Sequence, residues 1–157
     1  MSRAGYTADM IEKVLQPQSD RVYSIMRIVV GLAFAFHGVQ KIFKVLIDPQ
    51  WVPAMGSQGW FGGIIELVGG AMIAFGFFTA WAAFICSGTM AVAYIQFHWK
   101  LQFDSNFFPT INGGELALIY CFLFLYMACK GSGPWSVDAF LGRNGGDGVA
   151  PAPRPSL

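Results

Sequence analysis

His37, Gln40 and Lys41 interrupt a segment otherwise built of Phe, Ile and Val, and Glu66, Gln96, His98 and Glu115 interrupt three further apolar runs. Side chains of these types suit a ligand with a polar head on an apolar body. Histidine or lysine donates to a carbonyl, and a carboxylate or imidazole supplies or removes a proton. A quinone is such a ligand. Glu66 and His37 are the candidate catalytic groups, as proton carriers, and Gln40, Lys41, Gln96, His98, Asn112 and Glu115 are candidate ligand-binding groups. Two histidines on different segments also raise a haem with two axial imidazoles. Haem ligands must meet at one height, however, and His37 is expected about two helical turns deeper than His98. The spacing of His and Glu lends no support to a metal site. Flavin, nicotinamide and phosphate-loop fingerprints are lacking, so the electron carrier of any redox reaction is expected on a protein partner.

The surroundings of these groups follow from composition. The 157 residues are 55% hydrophobic and only 12% charged, where a soluble domain carries about 25% charge. Lipid is therefore the expected solvent. A net charge of +1 gives no electrostatic reason to expect a nucleic acid partner. Cys86, Cys121 and Cys129 lie in apolar runs without a CxxC pair, which reads as buried, inert thiols rather than a disulfide or zinc framework. The first two dozen residues are polar and mixed in charge, unlike a secretory signal.

A helix needs about 20 mostly apolar residues to cross a bilayer, and four stretches, 23–46, 60–78, 80–98 and 113–129, qualify as spans. Backbone in lipid must satisfy its own hydrogen bonds, so the expected fold is all-α, an integral membrane four-helix bundle. Residues 1–22 are expected to form a cytoplasmic segment with a short interfacial helix ended by Pro17. Residues 23–130 form the four-helix domain, residues 131–142 an interfacial segment capped by Ser136, and residues 143–157 a disordered Gly- and Pro-rich tail. Asp20 is placed to cap the first long helix. Arg3, Lys13, Arg21 and Arg27 precede or open the first span, and Lys130, Arg143 and Arg154 follow the fourth. With an even number of spans, this bias puts both termini in the cytoplasm of a cell inner membrane. Trp51, Trp60 and Trp99 then mark the outer interface.

Depth decides how much each polar residue needs explaining, since a charge at mid-bilayer costs about 2.5–3.5 kcal/mol on insertion scales. Lys41 can extend towards the headgroups, while His37 lies one turn deeper on the same face. Glu66 lies about 9 Å along the helix from Trp60, on a face with Gly59, Gly63 and Gly70. Small residues admit a close neighbour, so Glu66 should face the bundle, with Lys41 or His37 as partner. Asn112 and Glu115 have the spacing of a capping box, which leaves Glu115 with both a structural and a functional reading. His98 ends its helix beside Trp99, and Gln96 continues the small-residue face of Ala82, Cys86, Thr89 and Ala93 towards a neighbouring helix. "GGIIEL" at 62–67 and "NGGEL" at 112–116 each open a helix that follows one ending in His, Gln and Lys, the pattern of two repeated helical hairpins.

The segments "GLAFAFHGVQKIF", "GGIIELVGGAMIAFGFFT", "MAVAYIQFH" and "FFPTINGGELALIYCFLFLYMACKGSGPWSVDAFL" together resemble the DoxX family of small bacterial and archaeal membrane proteins, over most of Arg27 to Leu141. The resemblance implies four transmembrane helices and importance for His37, Gln40, Lys41, Glu66, Asn112 and Glu115. It also implies a link to quinones, because the family takes its name from the membrane subunit of a thiosulfate:quinone oxidoreductase, and some relatives are tied to thiol redox balance. Two departures stand out. Many relatives carry a basic residue after the Thr of the second turn, where this chain has Ala80, and many have Gly where it has Lys44. Two functions are thus in view. One is a membrane subunit of a quinone-linked oxidoreductase with a polar pocket towards the outer face, in the bilayer beside a redox partner or in a homo-oligomer. The other is a non-enzymatic anchor or assembly protein for a partner complex.

Overall fold

The computed structural model describes residues 10–142, and every regular element among them is helical. Four long helices form the bundle. They are α1 (Ser19–Phe43), α2 (Gln58–Phe75), α3 (Thr79–Ala93), which runs on as a π-helix over Tyr94–Trp99, and α4 (Glu115–Lys130). Three helical stretches, Met10–Phe43, Gln58–Phe75 and Thr79–Trp99, are long and apolar enough to cross a membrane. With 16 residues, α4 falls short of that length. The chain is an all-helical membrane bundle, and the tail at 143–157 lies outside the described residues.

Pro17 does not end the first helix. Residues 10–15 pass through a 3-10 turn at Gln16–Gln18 directly into α1. Proline near the start of that turn gives up an amide the turn does not need, so the ladder tightens instead of breaking. A continuous helix has no free amides at its seam, and Asp20 therefore caps nothing: the α1 N-cap position is Gln18, without a side-chain cap. Asp20 instead bonds Lys130 Nζ at 2.9 Å, which raises the lysine's proton affinity. Both partners are too exposed for this pair to contribute much.

The helices pack in two close pairs. Gly31 and Gly38 of α1 lie against Gly63 and Gly70 of α2, backbone to backbone. A Cβ at Gly70 would sit 2.5 Å from the Ala35 nitrogen, and one at Gly38 would overlap the Leu67 amide and the Gly63 carbonyl. In the second pair, Ser87 of α3 donates to the Cys121 carbonyl of α4 at 2.8 Å. Gly69 of α2 leaves room for Cys86 Sγ of α3. Rings fill the space between α1 and α4, where Phe34 lies 5.2 Å from Tyr120 and 4.6 Å from Phe124 between centroids.

At the end nearer the termini, residues 131–142 fold back onto the bundle. Ser136 caps the turn Val137–Phe140, as its sequence position implied, accepting from the Ala139 amide at 3.0 Å. The Asp138 amide reaches Gly76 O at 2.9 Å. Gly76 closes α2 at φ 70° and leaves no room for a side chain beside Ser136.

Candidate functional site

Glu66 projects from α2 towards α1, where Lys41 Nζ meets its Oε1 at 2.6 Å. The sequence left Lys41 and His37 as alternative partners. Lys41 takes the bond because its stem lies over Gly63, where a Cβ would come within 3.0 Å of Lys41 Cβ. Glu66 is 4% exposed, while the lysine side chain keeps 32% of its surface open. The pair thus has a wet end and a dry end. On the dry end, Glu66 Oε2 is buried with no hydrogen-bond partner among the described residues.

Two further groups interact with that carboxylate, and a third adjoins one of them. Cys86 of α3 and Tyr120 of α4 lie within electrostatic range of Glu66. His37, half-buried on α1, presents its ring to Tyr120 edge-on, with centroids 6.4 Å apart. Among the described residues, neither His37 nor the Tyr120 hydroxyl makes a hydrogen bond. A charged acceptor, an imidazole and a phenol, from three helices, are all left with capacity to spare.

Of the remaining candidates, Gln40, Gln96, His98 and Asn112 make their hydrogen bonds elsewhere, and Glu115 is exposed. Gln40 donates to the Leu46 carbonyl at 2.7 Å and shapes the loop after α1. Gln96 faces a neighbouring helix, as its position suggested, and accepts from Gln58 of α2 while remaining exposed. His98 Nδ1 lies 3.3 Å from the Asn112 carbonyl, and Asn106 donates to the carbonyls of His98 and Trp99 at 3.0 and 2.9 Å. Asn112 in turn donates to the Asn106 carbonyl at 2.9 Å. These bonds stitch the π-helix to the loop that follows it. Glu115 is exposed, and no capping box forms. Gly113, at φ 70°, turns the chain and moves the N-cap to Gly114, so the Asn112 oxygen serves the Gly114 amide at 2.7 Å. Among the described residues, no hydrogen bond joins these five side chains to the Lys41–Glu66 pair.

Several important side chains escaped the sequence reading. Arg27 reads as an interfacial charge but is completely buried, donating to the carbonyls of Ile73, Ala74 and Trp135. Asp138, also buried, accepts from the Phe78 and Thr79 amides at 3.0 and 3.1 Å and from the Thr79 hydroxyl at 3.3 Å. An arginine one turn inside an apolar span was the available signal for Arg27; nothing local marks Asp138. Tyr120 passed as one aromatic among many. Cys86 is buried as expected, whereas Cys129 is exposed because it lies on the outer face of α4, beside an open cleft of about 670 Å³ that Asp20, Trp81 and Lys130 also line. Among the described residues, no three His, Cys, Asp or Glu side chains are grouped as metal ligands would be.

Comparison with known proteins adds the following. A family model described as DoxX matches residues 22–99, a range that contains His37, Lys41 and Glu66. An uncharacterized protein of Haemophilus influenzae is 39% identical over 122 residues, covering 73% of this chain and 87% of the relative. No solved structure matches the chain.

Proposed function

The chain belongs to the DoxX family, and from that premise we propose that it is the membrane subunit of a quinone-linked oxidoreductase acting on thiosulfate or thiols, with the Lys41–Glu66 pair as its head-group site. One observation carries the reading: Glu66 is buried with one oxygen on Lys41 and the other unpaired. Desolvating a carboxylate costs several kcal/mol, and a pair kept only to join two helices would be expected to satisfy both oxygens. A free acceptor beside a phenol and an imidazole suits a group that exchanges a hydrogen bond or proton with a ligand head. Lys41 holds the carboxylate in place, and His37 is the second proton carrier. The donor's redox centre lies on a partner protein. The basic residues before α1 and after α4 favour an inner-membrane position with both termini cytoplasmic.

Protein purified from native membranes should retain quinone detectable by mass spectrometry. Glu66→Leu and His37→Ala should lose it while eluting as the wild type does in size-exclusion chromatography. Wild type without quinone and without reductant-dependent turnover would sink the reading. The anchor function would then stand, and one observation favours it: residues 131–142 are bound tightly to the bundle through Arg27 and Asp138, beside an open cleft able to receive a partner segment.

A further inference from the structure

Resting on the quinone reading, we infer that the site selects the reduced, hydroxyl-bearing form of the carrier, with Glu66 Oε2 accepting its hydrogen bond and Tyr120 as a further ligand-binding residue. In an ammonium–carboxylate pair such as this one, at 2.6 Å, the carboxylate oxygens only accept. A quinone carbonyl also only accepts. Setting it against Oε2 would place two acceptors face to face and leave the buried oxygen unsatisfied. A quinol hydroxyl donates, and supplies what Oε2 lacks. Sites built to bond a ligand hydroxyl reject analogues without it far more strongly than apolar pockets reject an added methylene.

Tyr120 is placed beside His37 by its ring contacts. Its ring is held against Phe34 at 5.2 Å and stacked on Phe124 at 5.3 Å, which fixes its direction. The edge contact with His37 keeps the imidazole on the same side. His37 is half-buried while Glu66 and Tyr120 are buried, so His37 is the most accessible of the three groups. The phenol can both donate to and accept from an oxygen of the head, and so serves either redox form. Selection falls to Glu66 alone.

The test compares decylubiquinol with decylubiquinone, each held in its redox state under anaerobic conditions, by equilibrium binding to the full chain in lipid nanodiscs. Wild type should bind the quinol tighter by about tenfold or more. Glu66→Gln, whose amide both donates and accepts, should bring the two affinities within about threefold of each other. Tyr120→Phe should weaken both forms and leave their ratio intact; unchanged affinity in that variant would remove Tyr120 from the site. Equal binding by wild type, or preference for the quinone, overturns the selectivity while leaving the quinone reading in place. Binding of neither form overturns both. The wild-type ratio needs no variant to fold.

Discussion

At Glu66 the energetics are asymmetric, and the asymmetry can be measured. Removing Lys41 strands a buried charge, which costs about 3–5 kcal/mol where burial is complete; the lysine's partial exposure places the expected loss for Lys41→Met at about 3 kcal/mol. Replacing both partners by apolar residues, as in Lys41→Met with Glu66→Leu, should recover most of that loss, because no charge remains to desolvate. Thermal unfolding in detergent of the two single variants and the double variant would show it, and strictly additive losses would contradict it. Sequence made this pair legible because depth and a glycine face both pointed Glu66 inward. Arg27 was not legible. Its partners are main-chain carbonyls, two of them at the end of α2 46 and 47 residues away, and carbonyls leave no trace in residue type.

Among the elements, the α1–α2 seam depends on glycines seven residues apart in each helix. Gly38→Ala should separate the two backbones and destabilise the protein by about 1–3 kcal/mol, the usual cost of overpacking. Gly62 is the internal control, since a Cβ there meets nothing within 4 Å, and Gly62→Ala should stabilise by about 0.5–1 kcal/mol through reduced chain entropy. Unfolding temperatures that moved together would contradict the seam. The long helices were readable from their apolar runs, but their ends were less so, because an end is fixed by a few backbone angles. Gly113 displaced the cap of α4, and the ladder passed through Pro17. The π-helix over Tyr94–Trp99 had no local signature, although it lies where Gly114 comes close: a Cβ there would be 2.7 Å from Tyr94 and His98 side-chain atoms. The two close helix pairs differ in what joins them, glycine backbone in the first and the Ser87–Cys121 bond in the second, and buried Glu66 and exposed Glu115 differ in their polar contacts.

Over the whole molecule, the Lys41–Glu66 pair lies midway along α2 and the Arg27–Asp138 region at its C-terminal end, and the two should respond independently. Hydrogen bonds from a charged donor contribute about 1.5–3 kcal/mol each, so Arg27→Met should raise opening of residues 131–142 by more than about tenfold. Faster protease cleavage near Gly131–Pro134, with quinone retention unchanged, is the expected result; unchanged cleavage would show that the segment is held by other contacts. The 16 residues of α4 rise about 24 Å, against a hydrocarbon layer of about 30 Å. Acyl chains alongside α4 must shorten or splay, at a cost of fractions of a kcal/mol per ångström. Reconstituted into vesicles of graded chain length, the protein should melt highest in the thinner bilayers, and in a laterally mixed membrane it would gather where short or unsaturated lipids collect.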